Sequence, residues 1–90
     1  MPTVRIPPIL RPDAGGNRNV ESPGATVREV LQSLVATYPA LNDRVFDDGE
    51  LPQFLNVFVD GSDVRLLDGL DTSVGDATTV ILLPAVAGGR

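Results

Sequence analysis

Ninety residues are enough for one domain and no more, because a core needs most of that length to close. A hydrophobic content of 42% against 21% charged residues marks a folded globular chain and not a disordered one. No apolar run reaches the length of a membrane span, and the N-terminus lacks the charged-then-apolar layout of a secretion signal, so a soluble cytoplasmic protein is expected.

The absent residue types exclude more. Without Cys there are no disulfides, thiolate metal sites or thiol nucleophiles, and without His the usual general base and commonest metal ligand are gone. All seven basic residues are Arg, which removes Schiff-base chemistry on this chain. A net charge of −5 argues against nucleic acid, whose phosphates require a basic stripe. Carboxylates, hydroxyls, Tyr38 and the chain ends remain. Neither an independent enzyme nor a bound cofactor or metal is expected.

In chain order, Thr3 to Leu10 alternates loosely and reads as a strand, with Pro7, Pro8 and Pro12 placing its far end at a sheet margin. Asp13 to Asn17 is a turn cluster in which Gly15 and Gly16 can take positive φ. Arg18 to Ser22 returns as a short second strand, ended by Pro23-Gly24. The next segment carries a helix signature: Thr26 with Glu29 three residues on forms a capping box. Val27, Val30, Leu31, Leu34, Val35 and Tyr38 then make one apolar stripe, leaving Arg28, Gln32 and Ser33 wet. Pro39 stops the helix.

Leu41 to Phe46 allows one short helical turn, and Asp47 to Glu50 is an acidic loop. Phe54 to Asp60 is a strand ended by Gly61, with a short strand at Val64 to Leu67. Asp68 to Thr78 is a crossing loop, and Thr79 to Leu83 suits a strand buried at the centre of a sheet. The order predicts an α+β domain, one helix laid across a small mixed sheet. A single helix covers one face, yet the strand at Phe54 to Val59 is apolar on both. Either the loop from Leu41 to Gln53 folds over the second face, or Phe54 and Phe58 mark a docking patch for a partner. The acidic residues Asp43, Asp47, Asp48 and Glu50 lack oxygen-site spacing and read as a solvated loop.

Gly15-Gly16 lies between two strands, where a turn explains it. Gly88-Gly89 precedes no further element. A chain end without Cβ atoms is thin enough to thread a narrow enzyme channel, although the dipeptide alone reads as a frayed terminus. The helix start Thr26-Val27-Arg28-Glu29-Val30-Leu31, the strand Asn56 to Gly61 with Asp63-Val64-Arg65, and the ending Ile81 to Gly89 add to it. Together they resemble the ThiS/MoaD family of ubiquitin-like sulfur carriers. The stretch Pro7 to Pro12 with Gly15-Gly16, taken with Leu83 to Gly89, is similar to the actinobacterial branch that serves cysteine synthesis.

That resemblance implies a β-grasp domain over residues 1–84 and a flexible diglycine tail over 85–90. It implies that the Gly89 carboxylate is adenylated with ATP by a MoeB/ThiF-type enzyme and converted to a thiocarboxylate. A cysteine synthase of the CysM type, carrying an aminoacrylate from O-phosphoserine on pyridoxal phosphate, would accept the sulfur. A zinc peptidase of the JAMM type would then release cysteine from Gly89. Pro84, Ala85, Val86, Ala87 and Gly88 would be the stretch that partners recognise. ATP, zinc and pyridoxal phosphate would belong to those partners, and no contact with nucleic acid or membrane is implied.

Two departures stand out. Arg90 follows Gly89, so its carboxylate is an amide until Arg90 is removed; Arg90 is either a processed residue or a remnant. Asp76-Ala77 stands where the family has an Asp-Gly turn. Carriers for molybdopterin, thiamin thiazole or tRNA thiolation, and a protein modifier conjugated through Gly89, are the competing readings.

Overall fold

The computed structural model describes residues 1–84. Five strands form one mixed sheet: β1 (Thr3–Arg5), β2 (Asn19–Glu21), β3 (Leu55–Val59), β4 (Ser62–Asp63) and β5 (Thr79–Pro84). Their order across the sheet is β2-β1-β5-β3-β4. The first and last strands thus meet at the centre, where β1 and β5 run parallel with Val4 beside Val80. β2 and β3 are antiparallel to those neighbours.

Helix α1 (Val27–Thr37) lies across one face of this sheet. Its start is held as the capping box predicts. Thr26 Oγ1 accepts the Glu29 amide at 3.2 Å, and Glu29 Oε1 reaches back to the Ala25 amide at 2.8 Å, one residue before the cap. Val27, Val30, Leu31 and Leu34 are buried against Val4, Leu55, Val57, Val80 and Leu82, while Val35 and Tyr38 sit at the edge of that core. The helix ends before Pro39, with Tyr38 out of the helical region. A 3₁₀ turn at Pro39–Leu41 and a short helix α2 (Asn42–Val45) follow, contributing Leu41 and Val45 to the same core. The buried polar side chains are satisfied: Ser22 Oγ donates to the Val30 carbonyl at 2.7 Å, and Thr72 Oγ1 accepts the Asp68 amide.

Three expected boundaries shift. The first strand stops at Arg5, and Pro8–Ala14 forms a 3₁₀ helix, because prolines donate nothing to a ladder while their fixed φ suits a tight helix. The short strand after Gly61 is Ser62–Asp63 and not Val64 to Leu67. Asp60 and Gly61 both have positive φ, the two-residue turn that suits a twisted hairpin. Asp63 Oδ1 then accepts the Arg65 amide at 2.9 Å and starts a 3₁₀ turn over Val64–Leu66. The third shift concerns β5, which is central but buried on one face only: Val80 and Leu82 are inaccessible while Leu83 is exposed.

Gly24 shows how tightly β2 is joined to the helix. A Cβ there would lie 2.6 Å from the Val30 amide nitrogen and 2.8 Å from Glu29 Cβ. Gly16 has positive φ and open space around it. Gly24→Ala should therefore cost about 2–3 kcal/mol through overpacking, and Gly16→Ala about 1 kcal/mol through backbone strain alone. Thr26→Ala should cost about 1 kcal/mol as a lost cap. Urea unfolding of the three variants checks the ranking.

Candidate functional site

Strand β5 carries the chain toward its C-terminus, and its last residue, Pro84, lies opposite Leu55 at the start of β3. The remaining expected tail positions, Ala85, Val86, Ala87, Gly88, Gly89 and Arg90, lie outside the described residues. What the structure describes is the surface that surrounds their point of departure.

Alternation along β5 sends Val80 and Leu82 into the core and Ile81 and Leu83 to the opposite face. Neighbouring strands share that face. Register sets Arg5 of β1 beside Ile81 on one side, and Asn56 and Phe58 of β3 beside Leu83 and Ile81 on the other. The loop from Leu41 to Gln53 does not cover this face, since Leu41 and Val45 are buried in the core beneath the helix. Of the two alternatives open in the sequence, the uncovered face is the one realised.

Of the expected patch, Phe58 is half-buried within β3 and Phe54 is 51% exposed just before it. Leu83, 46% exposed, joins them and was not expected, because the apolar run at Thr79 to Leu83 reads as buried on both sides. One helix can cover only one face, and that rule, applied to β5, exposes Ile81 and Leu83.

Two arginines frame the strip. Arg65 Nη1 donates to Asn56 Oδ1 at 3.2 Å and Nη2 to the Pro52 carbonyl at 2.7 Å. These bonds tie the corner before β3 to the turn after β4. On the other side, Arg5, Pro7, Pro8, Arg11, Ile81 and Leu83 line a shallow groove of about 250 Å³. Arg11 Nε donates to the Ile6 carbonyl at 3.0 Å, which holds the 3₁₀ helix against the end of β1. Among the described residues no three carboxylates converge on a point where a cation could sit.

The alternation along β5 is testable by stability. Leu83→Ser should change unfolding free energy by no more than about 0.5 kcal/mol, as an exposed position. Leu82→Ala should cost about 2–5 kcal/mol, as a buried one. Equal losses in thermal unfolding would contradict an open face.

Comparison with known proteins agrees with this arrangement. The chain is 43% identical to the sulfur carrier protein CysO of Mycobacterium tuberculosis, covering 97% of each. It is 45% identical to small archaeal modifier protein 3 of Haloferax volcanii over 72% of this chain and 71% of that one. Its backbone superposes with a TM-score of 0.93 on a chain of the Amycolatopsis orientalis BexX/CysO complex, at 42% identity, covering 99% of this chain and all of that one. The model of the ThiS family matches residues 4–89, and the chain belongs to that family, with the ubiquitin-like β-grasp fold.

Proposed function

We propose that this chain is a sulfur carrier of the cysteine-synthesis type, a protein co-substrate whose reactive group is the carboxylate of Gly89. The observation that carries the reading is the extent of the family match, which runs through the whole sheet and on to Gly89. It is supported by the CysO relative, which covers nearly all of both chains. With no Cys, the chain holds no side-chain thiol to carry sulfur, which leaves its terminal carboxylate as the proposed carrier group.

The proposed sequence begins outside the chain. An adenylating enzyme of the MoeB/ThiF type takes the tail from Pro84 onward. A Gly89 carboxylate oxygen attacks the α-phosphate of ATP, pyrophosphate leaves, and an acyl-adenylate forms. A sulfur donor displaces AMP and leaves a thiocarboxylate. A pyridoxal-phosphate-dependent cysteine synthase then accepts the sulfur, an S-to-N acyl shift leaves cysteine on Gly89, and a JAMM-type zinc peptidase frees it. Absence of a Cβ at Gly88 and Gly89 lets the chain pass a narrow channel. Arg90 must leave first, because an amide is not adenylated, and the same peptidase is the proposed agent.

A second reading has its own observation. The likeness to a small archaeal modifier protein fits conjugation of Gly89 to lysines of target proteins. The two readings part at the product attached to Gly89.

Intact mass and C-terminal fragment sequencing of the chain isolated from its own host separate them. Loss of Arg90 with sulfur or cysteine on Gly89 is expected. Gly89–lysine branched peptides would replace the carrier reading with the modifier one, and uniform retention of Arg90 would remove both. In ATP–pyrophosphate exchange, the form ending at Gly89 should be activated and the form ending at Arg90 should not. Gly89→Val in the shortened form should abolish exchange with an unchanged circular dichroism spectrum.

A further inference from the structure

The two margins of the sheet, β2 and β4, are finished differently. β4 is two residues long and runs straight into a 3₁₀ turn, where Asp63 Oδ1 takes the Arg65 amide. β2 has no such cover. Its ladder to β1 includes the Ile6 amide on the Arg18 carbonyl at 2.7 Å and the Ser22 amide on the Pro2 carbonyl at 3.0 Å, with Val20 opposite Val4 between them. Antiparallel pleating therefore turns the backbone groups of Arg18, Val20 and Ser22 inward and those of Asn19 and Glu21 outward. Among the described residues, nothing bonds to the outward amides and carbonyls of Asn19 and Glu21.

Such an edge is a template for another strand, and the residues of β2 fit it to a copy of itself. An antiparallel pair centred on Val20 sets Asn19 of each copy against Glu21 of the other, each facing pair exchanging both its backbone bonds. Side chains directly opposite share a face. On the open face an Asn then lies across from a Glu, and no like charges stand directly opposite. On the helix face Val20, half-buried at the rim of the core, meets Val20 of the second copy.

Charge completes the match. Arg18 shares the helix face, because it stands opposite Ile6, whose side chain is in the core. The arginine ion pairs among the described residues are Arg28 with Asp71 and Arg44 with Asp13, and Arg18 enters neither. Past the other end of β2, Pro23, Gly24, Glu29, Gln32, Ser33 and Ala36 border a shallow cleft of about 440 Å³. Glu29 is the one charged residue of that lining, and the small residues Gly24, Ser33 and Ala36 leave room above it. Pairing centred on Val20 sets Arg18 of one copy opposite Ser22 of the other, beside this cleft and its carboxylate. The symmetry of the pair makes the same contact twice.

We propose that the free edge of β2 docks a second copy of this chain, joining two five-stranded sheets into one continuous sheet. Arg18 of each copy enters the cleft of the other and pairs with Glu29. The contact uses neither the open face nor the C-terminus, so it goes beyond the carrier reading and does not depend on it. Both open faces lie on one side of the joined sheet, and the two β5 strands run in opposite directions. Each copy thus presents its departing chain at a separate end of the dimer.

Sedimentation equilibrium of the full chain tests the dimer. Its weight-average mass should climb from one chain toward two between about 10 µM and about 1 mM, the range of a small transient interface. Asn19→Pro removes one outward amide while leaving the β1 ladder whole, and should weaken association about ten-fold or more. Arg18→Glu and Glu29→Arg should each weaken it about ten-fold, because like charges then meet at both contacts. An equimolar mixture of those two variants should associate as the unaltered chain does, since each contact again joins opposite charges. Circular dichroism checks folding; should Glu29→Arg unfold with its cap, Asn19→Pro and Arg18→Glu carry the test.

A chain that stays monomeric at about 1 mM would overturn the proposal, as would association that Asn19→Pro and Arg18→Glu leave unchanged. Association lost in Leu83→Ser but kept in Asn19→Pro would overturn it in favour of pairing through the open face. A mixture no tighter than either charge variant alone would overturn the register centred on Val20.

Discussion

Everything in this fold depends on β5 having two neighbours and one covered face. Its parallel bond ladder to β1 and antiparallel ladder to β3 join the first residues of the chain to the last described ones. A strand in that position must alternate: Val80 and Leu82 supply the centre of the core, while Ile81 and Leu83 supply the surface around the departing chain. One six-residue strand thereby couples stability to presentation. Its inward side chains fix the register that puts its outward ones beside Arg5, Asn56 and Phe58.

The surrounding parts serve that strand from two ends. At the far end, the Gly24 close approach, the Thr26 cap and the Asp60–Gly61 turn hold the helix and hairpin to the sheet. At the tail end, the contacts are made by Arg11 to Ile6 and by Arg65 to Pro52 and Asn56. Each such bond contributes about 1 kcal/mol to stability at most. Their effect is to hold the segments that flank the strip in place, so that a partner meets a preformed surface and loses less entropy on binding.

For a carrier, this division of labour has a chemical logic. The reacting carboxylate needs no activation by its own chain if the partner supplies ATP and the catalytic groups. What the carrier must provide is a recognisable body and a passable end. A chain without Cys or Lys offers no thiol or lysine amine to compete for an acyl-adenylate, and the folded surface remains for recognition.

Much of this was legible in the residues. Thr26 and Glu29 at capping-box spacing, the apolar stripe from Val27 to Tyr38 and the stop at Pro39 are local signals, and each appears in the structure as read. Gly15 and Gly16 take the positive φ that their turn asks for. The readings that shifted are those in which local pattern and context compete. Pro7 to Pro12 looked like the end of a strand, but without amide donors it coils into a 3₁₀ helix. Val64 to Leu67 looked like a strand by composition, but the Asp63 side chain captures the next turn first.

The site divides the same way. The Gly88-Gly89 motif was legible without any neighbour, it lies outside the described residues, and its role belongs to the proposed carrier reading. Phe54 and Phe58 were legible as surplus apolar residues on a sheet with one helix. The exposure of Leu83 and the framing by Arg5 and Arg65 were not. The sequence by itself determined the helix and the turns, because those rest on residues within a few positions of one another. Only the tertiary structure decided which face of β5 meets water and that Arg5 lies beside Ile81 on it, because both follow from pairing residues 3–5 with residues 79–81 across the whole length of the chain.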